Sequence, residues 1–221
     1  MISRTSILAL ALFSAVGCSE EHDDFLRHLR RAQEGDPYAQ QTVAAMYAKG
    51  EGVWKNCSQT IHWLELSAAQ ELDTAQAMLG QALCSGYCST DRQREGISWL
   101  AKAANQGNPY IQAETGIAYA TGACGDETSD LVQAYTWLTL AGYDKALRAR
   151  DSLAASMDED QVATAEALIS SWEPATGLND EALQVRDRVL SGTDNSPRMP
   201  DLIAIDGDLD VLIETEGVGG K

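Results

Sequence analysis

The chain has 221 residues, 33 of them acidic and 16 basic, for a formal net charge of −17. That length accommodates one domain with a continuous core, and that charge makes nucleic acid and anionic lipid head groups poor partners while favouring cationic ones. Acidity of this degree also keeps a chain soluble without any recognition role. Residues 1–17 stand outside the fold: one basic side chain, Arg4, precedes an apolar run over 7–16 that is too short to span a bilayer. They read as a secretory signal.

Ala15, Val16 and Gly17 place small residues just before Cys18. This resembles a bacterial lipobox, with Cys18 as the lipidated first residue of the mature chain, although Ala15 stands where Leu is more usual. Ser19 follows the cysteine rather than Asp, which points to the periplasmic face of the outer membrane; the alternative is a soluble periplasmic or secreted protein. On this reading residues 18–35 form a lipid-anchored segment and capping helix. The helix would run from Asp23 to Gln33, with Phe25 facing inward and Arg27, His28, Arg30 and Arg31 facing water.

From residue 36 to residue 142 the chain repeats. Trp63 and Trp99 are 36 residues apart, as are Gly50 and Gly86, and Gly86 and Gly122; Trp99 and Trp137 are 38 apart. Units that cannot bury their apolar faces alone must stack. Within each unit Ala39, Ala75 and Ile111 align, as do Val43, Leu79 and Thr115, then Ala44, Gly80 and Gly116, then Tyr47, Leu83 and Tyr119. Spacings of four make one helical stripe, and the small residues in it let a neighbouring helix approach closely. Each stripe ends at a glycine, Gly50, Gly86 or Gly122, suited to a left-handed cap.

A second helix follows in each unit. Ile61, Ile97 and Tyr135 precede Trp63, Trp99 and Trp137, then Leu64, Leu100 and Leu138, and then small pairs such as Ala103-Ala104. Each repeat is therefore a helix hairpin with one bulky and one slim end. The tryptophans fall on the core-facing stripe and are expected to act as packing wedges rather than ligands. The junctions Gly35-Asp36-Pro37 and Gly107-Asn108-Pro109 supply a stop and then a start. Residues 143–190 carry helical patterns without the glycine and tryptophan marks, over 145–155, 159–172 and 179–190, and are expected to form carboxy-terminal capping helices closed by Trp172. Beyond 191 the composition turns acidic and proline-bearing, the pattern of a disordered tail.

The segments Gly50-Glu51-Gly52-Val53, Leu79-Gly80 and Trp99-Leu100-Ala101-Lys102-Ala103-Ala104-Asn105-Gln106-Gly107 resemble the Sel-1-like repeat family, relatives of tetratricopeptide repeats. The resemblance implies an all-α, right-handed α-solenoid of three helix-hairpin repeats with helical caps. This chain departs from the family pattern after the first helices, where Gly86-Tyr87-Cys88-Ser89 and Gly122-Ala123-Cys124-Gly125 put cysteine in place of the second glycine. With Cys57 and Cys84 these make four cysteines in an exported chain, which read as two disulfides, a four-thiolate zinc site being the competing arrangement. In an up-down stack the start of one second helix lies beside the end of the next first helix. That places Cys57 with Cys84 and leaves Cys88 to pair with Cys124.

No catalytic motif is present in the sequence: no His-Glu-x-x-His, no Gly-x-Ser-x-Gly, no Ser-x-x-Lys and no phosphate-cradling loop. His62 beside Trp63 reads as a packed or surface residue. Asp206, Asp208 and Asp210 imitate the start of a calcium loop, but Val211 occupies the glycine position. No cofactor or metal is expected. The resemblance implies a non-enzymatic scaffold, monomeric and membrane-bound through its lipid alone, that takes a protein or peptide on the faces of its first helices. Cysteine-rich members of the family suggest the alternative of a β-lactam-binding or hydrolysing cell-wall enzyme. Trp54, outside the periodic pattern, is the candidate partner contact.

Overall fold

The computed structural model describes residues 20–86, 91–125 and 129–175. The signal segment, Cys18, Cys88, the helix expected over 179–190, the aspartates at 206–210 and the acidic tail lie outside these residues. The described residues are helical throughout their regular structure. In chain order they form α1 (20–33), α2 (Pro37–Lys49), α3 (Cys57–Ala68), α4 (Asp73–Cys84), α5 (Gln93–Ala104), α6 (Pro109–Thr121), α7 (Leu131–Ala141), α8 (Asp144–Ala154) and α9 (Glu159–Ser171). The chain divides into two compact units, Met1–Gln70 and Glu71–Lys221.

In the first unit, α2 and α3 pack as a hairpin. Asp36 caps α2, accepting the N–H groups of Tyr38 and Ala39 at 3.0 and 3.1 Å, with Pro37 at the first helical position. Proline there sacrifices only a donor that has no partner inside the helix. Gly50 ends α2 at φ 81°, a left-handed conformation costly for any residue with a Cβ. Phe25 of α1 is buried and meets Tyr47 edge-on with ring centroids 5.4 Å apart. Arg27, Arg30 and Arg31 are exposed, in line with a cap that turns its charges outward.

The second unit contains two further hairpins, α4 with α5 and α6 with α7, followed by α8 and α9, which both pack on α7. Its core joins Ala77, Leu100, Ala104, Ile111, Ala118 and Trp137, and Trp172 packs partly buried against that cluster. Trp172 also donates its indole N–H to Asn105 at 3.2 Å. Asn108 and Pro109 start α6 as Asp36 and Pro37 start α2, and Gly122 ends it at φ 65°.

The small residues at aligned positions do close the hairpins. A Cβ placed on Gly80 of α4 would lie 2.7 Å from the Leu100 side chain, 2.8 Å from the Gly96 carbonyl oxygen and 2.9 Å from the Leu100 nitrogen of α5. One on Gly116 of α6 would meet Leu138 Cγ at 2.8 Å, but backbone only at 3.2 Å, at the Ala134 oxygen. Gly96 is reciprocal to Gly80, its own Cβ position lying 2.7 Å from the Gly80 oxygen.

A second period, Gln40, Gln76 and Gln112, is also 36 residues, and all three glutamines are buried. Gln40 donates to the Ala32 carbonyl at 3.1 Å and Gln112 to the Ala104 carbonyl at 3.3 Å, each eight residues back at the end of the preceding helix. Those carbonyls belong to the last turn, where they also accept the N–H groups of Gly35 and Gly107 at 3.1 and 2.9 Å, and the glutamines fill their second acceptor site. Gln70 and Gln106, from the ends of α3 and α5, donate in turn to Gln40 and Gln76 at 2.8 and 2.9 Å.

The contacts at Gly80 involve backbone, which cannot rotate away, whereas those at Gly116 fall mainly on a side chain. Gly80→Ala should therefore lose roughly 1–3 kcal/mol to overpacking, after the helix-propensity gain of about 1 kcal/mol, with Gly116→Ala losing less. Urea unfolding of the oxidised protein measures both.

Candidate functional site

Trp54 is 92 % exposed. The loop that presents it is nonetheless fixed at both ends. Gly52 has φ 67°, and a Cβ on it would collide with the Glu21 backbone; the His22 ring donates from Nδ1 to the Gly52 carbonyl at 2.8 Å. On the far side the Asn56 N–H donates to the Tyr47 carbonyl at 3.0 Å, and the Asn56 side chain caps α3 through Gln59. The indole is thus held out on an ordered loop, at no cost in ordering a flexible one on binding.

The repeat tryptophans divide. Trp63 and Trp137 are buried, at 8 % and 5 % exposure, as wedges require, and neither indole N–H has a hydrogen-bond partner. Trp99 is only partly buried: the Lys102 ammonium stands 5.4 Å from its ring centroid, and Glu71 holds that ammonium at 3.0 Å. A charged side chain three residues along the helix, rather than a packed neighbour, covers its outer side. His62 is exposed and tilted against the Trp63 ring.

Of the first helices, α4 contributes nothing to the expected row of contacts. Every residue of α4 except Thr74 is buried, Gln76 and Gln81 included. A helix enclosed in this way has no face left to offer a partner. Exposed apolar side chains remain at Tyr38 of α2 and Leu66 of α3, and the most exposed, Trp54, lies in the loop between the two helices of a hairpin.

The loop joining α6 to α7 forms a feature of another kind. Ser129, Asp130, Gly122 and Cys124 from this loop, with Tyr119 and Ala118 of α6, Ile97 of α5, Leu131 and Val132 of α7 and Gln161 of α9, line a cavity of about 430 Å³. Asp130 caps α7 through the Gln133 N–H at 3.0 Å, and its own N–H donates to the Tyr119 carbonyl at 3.0 Å. The same closure joins Asn56 to Tyr47 two repeats earlier in the chain. Burial, and then the nearby Asp130 carboxylate, push the Tyr119 hydroxyl above its ordinary pKa, so it remains a neutral donor and acceptor at physiological pH.

One wall of this cavity is covalent. Cys124 is bonded to Cys84, not to Cys88, and Cys84 is therefore not the partner of Cys57; their Cα atoms are 4.0 Å apart. Cys57 is also disulfide-bonded. The expected pairing placed Cys84 beside a second helix. The link instead joins two neighbouring first-helix ends, because α4 and α6 lie side by side, Gln81 donating to Glu114 at 2.6 Å. After Gly122 the loop folds back over the start of α5, with Gly125 against Gln93, whose amide donates to the Cys84 carbonyl at 3.0 Å. That turn brings Cys124 to Cys84.

The Sel1 repeat family model matches residues 37–72, 73–108 and 110–143. This is a chain of three Sel1 repeats. Among solved structures it is similar to a Sel1 repeat protein from Oxalobacter formigenes, at 25 % identity and a TM-score of 0.51, covering 76 % of this chain and 49 % of that one. It is also similar to c5321, a protective antigen of uropathogenic Escherichia coli with an SLR fold, at 23 % identity and a TM-score of 0.34, covering 78 % and 44 % respectively. The chain thus spans about half the length of these solved relatives. No curated protein matches it. Sel1-repeat proteins are generally scaffolds for protein–protein interaction.

The three Sel1 repeats coincide with the three hairpins, α2–α3, α4–α5 and α6–α7. Among the described residues no cluster of three or more His, Cys, Asp or Glu side chains is arranged to hold a metal, and no helix is long and apolar enough to cross a membrane. Sequence reasoning found Trp54 but missed the cavity, whose Tyr119 it read only as a stripe residue. The available signal was the tyrosine at aligned positions 47 and 119, each followed by a helix-capping Asn or Asp, Asn56 and Asp130.

The 84–124 bond spans 40 residues, so the chain-entropy model assigns it about 4 kcal/mol. The double variant Cys84→Ala with Cys124→Ala should lose stability on that scale in urea unfolding. Peptide mapping of the unreduced protein should recover Cys84 joined to Cys124.

Proposed function

We propose that this chain is a non-enzymatic scaffold that captures a protein or peptide partner through its loops, with Trp54 as an anchor. The export signal and Cys18 motif add an address to this reading: tethered by a lipid on Cys18 to the periplasmic face of the outer membrane. The observation that carries the proposal is a large aromatic side chain, 92 % exposed, on a loop braced at Gly52 and Asn56. Rigid, exposed indoles lose little entropy on binding and are enriched among the residues that dominate interface energies. The net charge of −17 favours a partner with a basic surface and speeds its encounter at low ionic strength.

Two measurements test this. Trp54→Ala should weaken capture of a partner isolated from solubilised envelopes by about 2 kcal/mol, roughly thirty-fold, while leaving the unfolding midpoint unchanged; capture that survives the substitution overturns the anchor. Radiolabelled palmitate should label the wild-type chain and not Cys18→Ala. Label retained by the variant overturns the tether.

A further inference from the structure

We propose that the cavity between α6 and α7 receives one lysine or arginine side chain of a protein partner, its methylene stem on Ile97, Leu131 and Val132 and its cationic head at Asp130 and the Tyr119 hydroxyl. The volume of about 430 Å³ falls in the range of ligand sites, roughly 300–1,000 Å³, at the end suited to one long side chain rather than a folded segment. The lining decides its chemistry. Among the described lining residues Asp130 is the one carboxylate, and none is lysine or arginine. An anion would be repelled there. A wholly apolar ligand would strip water from the carboxylate and return nothing for it, which is unfavourable.

A cation on an apolar stem satisfies both halves of the lining. Lysine and arginine carry apolar stems that lie along hydrophobic surface while the charged head finds a polar partner. The Asp130 carboxylate accepts the Gln133 N–H, and a carboxylate has acceptor capacity well beyond one such bond. The Tyr119 hydroxyl, protonated at neutral pH as an ordinary phenol is and shifted further that way by burial and by Asp130, adds an oxygen lone pair without a competing charge. The site is also built before any ligand arrives. Cys124 is fixed to Cys84, Gly122 ends α6 in a left-handed turn, and Asp130 is held to Tyr119 through the backbone. Little needs to be ordered on binding.

This proposal rests on the scaffold reading only for the source of the cation, a protein side chain, and small probes separate the two. The intact oxidised chain, labelled at its isoleucine, leucine and valine methyls, would be titrated with the Nα-acetyl amides of lysine, arginine and norleucine. The lysine and arginine probes should shift the Ile97, Leu131 and Val132 methyl signals with Kd values in the millimolar range, and norleucine should bind at least about tenfold more weakly. Asp130→Asn should reduce lysine binding by a similar factor while preserving α7, because asparagine caps helices as well as aspartate does. Val132→Phe, which fills the cavity from its rim, should block both cationic probes. Trp54→Ala should leave probe binding unchanged, so loss of partner capture by that variant bears on the anchor alone. Norleucine binding as tightly as lysine, lysine binding unaltered in a folded Asp130→Asn, or the absence of methyl shifts at these three residues overturns the proposal.

Discussion

Much of the second unit depends on one close approach of backbones, that of α4 and α5 at Gly80 and Gly96. Each glycine leaves the space that the other helix occupies, the Gly80 oxygen lying 2.7 Å from where a Cβ of Gly96 would stand. Leu100 then settles over Gly80 and is fully buried. One turn further along α4, Cys84 lies with its Sγ 2.5 Å from that same missing Cβ, so any side chain at 96 would displace the sulfur that reaches Cys124. Ile97, the next residue, lines the cavity. Hairpin contact, disulfide and cavity wall therefore share a single steric condition. The other repeats meet it less strictly: Gly116 faces Ala134, and Ala44 aligns with Gly80 where Thr60 aligns with Gly96.

The fold was legible because its causes are local and repeated. A glycine that admits a left-handed turn, a proline after Asp36 or Asn108, and a small residue every 36 positions each act through contacts within one repeat, so three copies disclose the rule. The disulfide was not legible for the opposite reason. Choosing between Cys57 and Cys124 as the partner of Cys84 depends on how the loop after Gly122 turns, and that loop departs from the family pattern at the cysteine itself. A geometry built from regular helices places helix ends well, but it leaves open the path of a loop whose turn residue has been exchanged. Trp99 failed as a wedge through its surroundings, since Lys102 and Glu71 sit beside it where its counterparts have core.

The buried glutamines show a further limit of reading by hydropathy. A stripe analysis passes over Gln40, Gln76 and Gln112 because they are polar, although their period is as regular as that of the glycines. Their role follows from an accounting of carbonyls at helix ends. An apolar residue at Gln40 or Gln112 would remove that donor and leave the Ala32 and Ala104 carbonyls to the Gly35 and Gly107 N–H groups alone, a loss of about 0.5–1.5 kcal/mol for one hydrogen bond. Two neutral amides in sequence, as in Gln106 with Gln76, meet this need without the larger penalty of burying charge. The ladder is thus a device for joining helices end to side inside an apolar interior.

These commitments explain where recognition can reside. Here α4 spends nearly all of its surface on its neighbours, and the starts of α2 and α6 are held to their Asp-Pro and Asn-Pro caps. The loop inside each hairpin must return the chain. In the first and third hairpins it is closed by a backbone bond from the next helix cap to a tyrosine carbonyl, Asn56 to Tyr47 and Asp130 to Tyr119, which constrains its ends. One such loop exposes Trp54, and another builds an acidic cavity at Asp130. Loops on a rigid frame are where binding residues accumulate in many folds. Here the frame makes that distribution a consequence of packing, because a loop side chain that stands clear of the helices, as Trp54 does, can change without disturbing the contact between them.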